Sequence, residues 1–146
     1  MSLHPDFPVV EGPHPLTPEW TIALAEPFNR RIEEGDLVLW RPDVTAWIAI
    51  WHNDEGASIA LRLDDLKQHM SAEAYDIEQE QVGGTLYFSY RLAEEPEPGQ
   101  EPREPGFYSY VFADDSHVQM AVYIDDEDDA GAARALHRSL VHAPAA

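Results

Sequence analysis

Seven histidines, a single lysine and a large excess of carboxylates are the residues of this chain with the means to do chemistry. The histidines are His4, His14, His52, His69, His117, His137 and His142. No two of them stand in the H-E-x-x-H or H-x-H spacing that brings two imidazoles to one metal ion. His117 follows Asp114 and Asp115 closely, and a carboxylate beside an imidazole can orient it for proton transfer. The same arrangement is also ordinary for acids in a solvated turn at the start of a strand. Asp125–Asp129 is an acidic run, but it lacks the spaced ligands, central glycine and closing glutamate of a calcium loop. As the first turn of a helix it needs no ion, because acids there complement the helix dipole. No serine sits in G-x-S-x-G. Gly83-Gly84, the only glycine pair, suits a tight turn better than a phosphate cradle. Lys67 would have to carry any Schiff-base chemistry, yet it falls on the polar side of a helix beside Asp64 and Asp65. The absence of cysteine removes disulfides, thiol nucleophiles and thiolate metal sites together. The sequence therefore presents no catalytic constellation, no metal site and no cofactor site, and it points away from an enzyme.

Aromatic residues are the second resource. Trp40, Trp47 and Trp51 lie close in sequence, and Tyr87, Tyr108, Tyr110 and Tyr123 fall on neighbouring strands. Core packing is one use for them, since apolar burial contributes on the order of 25 cal/mol per Å². A binding groove is the other, with Trp47, Trp51, His52, Tyr108, Tyr110, His117 and Tyr123 as its candidate residues. Such a groove can hold a peptide, a small apolar ligand or a partner's arginine.

These residues must be positioned by the elements around them. Residues 1–19 hold Pro5, Pro8, Pro13, Pro15 and Pro18, which predicts an extended lead-in, tacked down by Phe7, Val9 and Val10. Trp20–Ala25 alternates as a strand, and Glu26-Pro27 is expected to break it. Phe28–Glu34 reads as a short strand or irregular crossing, and Asp36–Arg41 as a strand. Thr45–Trp51 is apolar on both faces, which predicts a central strand covered on each side. Ile59, Leu63, Leu66 and Met70 make one helical stripe, placing a helix at 57–70. Tyr75–Val82 and Thr85–Leu92 form a hairpin around Gly83-Gly84, with Leu86, Phe88, Tyr90 and Leu92 on the buried face. Residues 93–106 carry five glutamates and four prolines and are expected to form a mobile acidic loop. Gly106–Ala113 and His117–Ile124 make a second hairpin. A helix from Asp125 to about Val141 follows, with Ala133, Leu136 and Leu140 inward, and the tail at 142–146 is expected to fray.

The predicted fold is α+β: a twisted, mainly antiparallel sheet of about six or seven strands with two helices packed on it, in one domain at 20–141. This order of elements resembles the PsbP/Mog-type α/β sandwich. The parts that carry the resemblance are the helix at Ile59–Met70, the strand Thr85–Leu92, the hairpin Phe107–Ile124 and the ending Ala135–Leu140. Members of that family serve photosystem assembly, Ran binding or toxin immunity. The resemblance therefore implies an accessory or immunity role and carries over no functional residue.

Charge narrows the partners. With 28 acids against 9 lysines and arginines, the net charge is −19. Phosphate and anionic lipid both require clustered cations, so nucleic acid and membrane surfaces are excluded as expected partners. A basic protein partner is electrostatically favoured. No run is long and apolar enough to span a bilayer, and the N-terminus lacks the pattern of a signal peptide, so a cytoplasmic location is the expectation. The leading function is a non-enzymatic domain that binds a protein partner. The alternative is a small-molecule or peptide site lined by tryptophan and histidine, either a binding site alone or an enzymatic one.

Overall fold

Apolar and polar residues alternate through most of the chain, and in the computed structural model those stretches join one antiparallel sheet. The structure describes residues 3–93, 98–99 and 104–143. Among them lie β1 (Val9–Pro15), β2 (Trp20–Glu33), β3 (Asp36–Arg41), β4 (Val44–His52), α1 (Ile59–His69), β5 (Tyr75–Val82), β6 (Thr85–Leu92), β7 (Gly106–Phe112) and β8 (Ser116–Ile124). A 3₁₀ turn (Glu127–Asp129) then leads into α2 (Ala130–Ser139) and the short β9 (Val141–His142). The strand order is β1-β2-β3-β4-β8-β7-β6-β5, with β9 paired to β2.

This is a mainly-β fold of nine strands with two short helices, not the α+β sheet of six or seven strands expected from periodicity. Two long-range pairings add the extra strands, and β2 is continuous where a break was expected. The proline-rich lead-in supplies β1, which is tolerated because it is an edge strand. β2 runs straight through Glu26-Pro27 instead of breaking. Val10 pairs with Phe28 and Gly12 with Leu24, so residues 25–27 bulge opposite Glu11 and Pro27 owes no ladder bond there. Gly12 takes a φ of 69° at this irregularity, a left-handed conformation that suits glycine. The tail does not fray at His142, which pairs with Trp20 while the Ala143 N–H bonds the Glu19 carbonyl at 2.8 Å. Residues 144–146 lie outside the described residues, as do positions 94–97 and 100–103 of the acidic loop expected at 93–106.

The two helices lie on opposite faces of the sheet. α2 covers one face through Ala133, Leu136 and Leu140, packed against Trp20, Ile22, Met120 and Val122. Ala133 is fully buried, and its lack of bulk lets the helix approach the strands closely. α1 covers part of the other face, where Leu63 meets Leu86, Phe88, Tyr90 and Phe112. Ser58 caps α1 by accepting the Leu61 N–H at 3.1 Å. β6 is consequently buried on both sides, and Ser89 and Arg91, on the face opposite Phe88, are buried as well. The exposed edges are guarded. β1 carries prolines, and β5 is exposed along its whole length with Glu78 and Glu80 among its residues.

Candidate functional site

Alternation along β4, β8 and β7 sends every second side chain to the face on which α1 sits. On β4 these are Thr45, Trp47, Ala49 and Trp51; on β8, His117, Gln119, Ala121 and Tyr123; on β7, Tyr108, Tyr110 and Phe112. The register sets Trp51 opposite His117, Trp47 opposite Ala121, and Thr45 opposite Tyr123. Tyr108 then faces Ala121, Tyr110 faces Gln119, and Phe112 faces His117. Six of the seven predicted residues therefore share one surface: Trp47, Trp51, Tyr108, Tyr110, His117 and Tyr123. His52 does not join them. It is one residue past Trp51, pairs with Ser116, and belongs to the opposite face.

The covered and open parts of this face follow from size. An eleven-residue helix is about 16 Å long and 10 Å wide, while the axes of eight paired strands span about 34 Å. α1 covers the β6–β7 end and leaves the β4–β8 part open, while at β3 the ring of Phe7 from the lead-in packs edge-on against Trp40 at 5.0 Å and Val38 is fully buried. Trp51 is accordingly 56% exposed, and Trp47 and Tyr123 are half-buried. β4 is thus central in its hydrogen bonding but open on one face, which corrects the expectation of cover on both sides. Of the four tryptophans only Trp20 is fully enclosed.

The rings form a continuous row from the covered end to the open one. Tyr90 stacks on Tyr108 at 5.3 Å and on Tyr110 at 6.3 Å, and Tyr108 meets the edge of Tyr123 at 6.4 Å. Burial, with Tyr110 next to it, holds the Tyr90 hydroxyl well above the usual tyrosine range. Phe112 packs on His117 at 5.3 Å.

Sequence spacing missed two contributors. Trp40 on β3 and Arg31 on β2 belong to the same face, and the Arg31 guanidinium lies 4.7 Å from the Trp40 ring centre and 5.9 Å from that of Trp47. Only the β2–β3–β4 register brings them together. Two shallow grooves border these residues. One of about 180 Å³ is lined by Asp36, Trp47, Ala49, Trp51, Gln119 and Ala121. The other, about 420 Å³, opens at the sheet edge where β3 stops and lies mainly on the opposite face, lined by Leu16, Arg30, Ile32, Leu37, Ile48 and Ile50, with Ala49 and Trp51 at its rim. There β4 outruns its neighbour: Ala49–His52 pair with β8 but have no partner in β3.

The surroundings of the histidines weigh against acid–base catalysis. His117 is depressed to about 4 by burial and then by the charge of Arg62, so its nearest charged influence is a cation rather than the anticipated carboxylate. Arg62 reaches from α1 to donate to the carbonyls of Ala113 and Ser116. Asp115 turns instead toward His142, whose Nε2 is 3.1 Å from Oδ1. A serine–histidine pair does occur, with Ser109 Oγ 2.6 Å from His137 Nδ1, but both residues are buried between α2, which carries His137, and the sheet, out of reach of a substrate. Lys67 bonds Gln79 at 3.3 Å and lies over the Phe88 ring at 5.6 Å.

Comparison with family models, with curated proteins and with solved structures returns no match. No helix among the described residues is long and apolar enough to cross a membrane.

Proposed function

We propose that this chain is a non-enzymatic interaction domain that receives a basic, arginine-bearing segment of a partner protein on the open aromatic half of its sheet. The observation that supports this most directly is the chain's own Arg31, which already lies over Trp40 and Trp47. The face thus accommodates a guanidinium, and Trp51 beside it is uncovered. A guanidinium over an indole is attracted by the ring quadrupole, by about 0.5–2 kcal/mol depending on desolvation. The net charge of −19 steers a cationic segment toward the molecule. The free edge of β4 at Ala49–His52 provides backbone donors and acceptors for an extended chain lying in the adjoining groove. The groove beside Trp47 and Trp51 is open to solvent, and the larger one continues from it round the sheet edge, which suits a peptide segment better than the enclosed pocket of a small-molecule site.

Titration of an arginine-containing basic peptide, and of its lysine-for-arginine twin, followed by tryptophan fluorescence, tests the reading. The arginine peptide should bind more tightly, weaken with salt, and lose at least about tenfold in affinity with Trp51→Ala. That substitution removes a largely exposed ring and should change stability by no more than about 0.5 kcal/mol. Equal binding of the two peptides, or undiminished binding to the variant, sinks the proposal.

A further inference from the structure

Three segments far apart in sequence end at one corner of the sheet. Glu19 immediately precedes β2, Asp115 lies in the turn between β7 and β8, and His142 is in β9. The Trp20–His142 pairing and the bond from the Ala143 N–H to the Glu19 carbonyl set Glu19 beside His142. Asp115 is held from the other side. The Trp20 indole N–H donates to Ser116 Oγ at 2.8 Å, and the Ser116 hydroxyl donates to Asp115 Oδ1 at 3.0 Å. The His142 ring rests against Trp20 with centroids 4.8 Å apart.

The donor atoms converge. His142 Nε2 is 3.1 Å from Asp115 Oδ1 and 3.6 Å from Glu19 Oε2, and one donor atom from each of the three residues lies within 4.8 Å of the other two. Metal bonds to nitrogen and oxygen of about 2.0–2.2 Å put neighbouring ligands of one ion roughly 2.8–3.1 Å apart in octahedral and roughly 3.3–3.6 Å apart in tetrahedral geometry. The two separations from His142 Nε2, 3.1 and 3.6 Å, fall at these distances. A second feature is independent of the acids. The His142 side chain is only 10% exposed, and its Nε2 is buried with no hydrogen-bond partner. The carboxylate oxygens flank this nitrogen without making a hydrogen bond to it, as ligands around a common centre would.

We propose that Glu19, Asp115 and His142 form a binding site for one divalent transition-metal ion of the zinc class. Two carboxylates balance the charge of the ion. The imidazole nitrogen favours a transition metal over calcium or magnesium, which take oxygen ligands. Ser116 and Trp20 orient Asp115 as an outer shell does in such sites. The Asp115 side chain is 52% exposed, so water has access to a further coordination position. The bound ion would tie the last strand to β2 and to the β7–β8 turn.

The test uses the full, untagged chain after treatment with chelator and dialysis. Calorimetric titration with Zn²⁺ should give one ion per chain at roughly micromolar affinity or tighter, undisturbed by excess Mg²⁺ or Ca²⁺. His142→Gln and Asp115→Asn should each weaken it at least about tenfold, while His52→Gln, at an exposed histidine outside the cluster, should not. NMR of the imidazoles in the unaltered chain provides a reading that needs no variant: Zn²⁺ should displace the His142 resonances and leave those of His52 and His69 in place. Binding no tighter than about millimolar would leave an imidazole–carboxylate cluster only and overturn the proposal. Several ions per chain with variants equal to wild type would do the same, because the acids would then be binding diffusely.

Discussion

Removal of the Glu127 carboxylate should destabilise the protein more than removal of its arginine partner. Arg91 lies on β6 beneath the start of α2 and is 3% exposed, whereas Glu127 is 58% exposed. Arg91 Nη1 donates to Glu127 Oε1 at 2.8 Å, and Nη2 donates to Oε2 at 2.9 Å and to the Pro105 carbonyl at 2.8 Å. Its Nε is buried without a partner. Glu127→Gln leaves this buried guanidinium with a neutral, poorer acceptor. A buried pair broken on one side costs about 3–5 kcal/mol, but water reaches the Glu127 position and screens the charge, so the expected loss is about 1–2 kcal/mol. Arg91→Met removes the buried charge itself, fills part of its volume and leaves Glu127 in water, so it should cost less than about 1 kcal/mol. The assay is urea unfolding at neutral pH followed by tryptophan fluorescence, to which the enclosed Trp20 contributes. The hydrogen bonds from Arg91, ahead of the opposing effect of burial, hold the Glu127 carboxyl below its ordinary 4.5. Its contribution is therefore whole above pH 4.5 and is lost as pH falls through the lower folded value. The gap between wild type and Glu127→Gln should close in acid. A gap that does not narrow as the pH falls below 4.5, or an Arg91→Met variant less stable than Glu127→Gln, would refute the reasoning.

Two further outcomes follow from the packing. Burial, then neighbouring arginines, depresses both His117 and His137 to about 4, against an ordinary 6.5. The unfolded chain takes up these protons first, so stability should be whole above pH 6.5 and fall as pH drops toward 4. His137→Leu should remove about 1 kcal/mol per pH unit from that slope near pH 5, read by urea unfolding across the range. Leu136→Ala empties a buried site between α2 and the sheet and should cost about 2–5 kcal/mol, measured in the same assay, with the fold retained by circular dichroism.

Local features were legible wherever neighbours in sequence are also neighbours in space. The stripe Ile59, Leu63 and Leu66 marks α1, and the helix at Ile59–His69 falls within the expected 57–70. The hairpins around Gly83-Gly84 and Asp114-Asp115 follow from turn chemistry between alternating strands. The final helix is less clean. Its acidic start forms a 3₁₀ turn in which Asp126 caps the Asp128 N–H, and α2 proper begins only at Ala130. β1 and β9 were not legible, because neither has a periodicity of its own. Each is a strand only because β2 lends it donors and acceptors. The grouping of Glu19, Asp115 and His142 had no sequence signal for the same reason.

The sequence by itself determined that β4 has two apolar faces, that β8 alternates between an apolar and a mixed face, and that Trp47, Trp51, Tyr108, Tyr110, His117 and Tyr123 stand on strands while His52 follows Trp51 by one. Alternation is a property of the backbone and needs no partner. Tertiary structure alone decided that these six face the same way, that Trp40 and Arg31 join them, and that the part around Trp51 stays open. Register between strands is set by pairing over long separations. Cover is set by the reach of a single short helix, which shields Phe88 and Tyr90 and ends before Trp51.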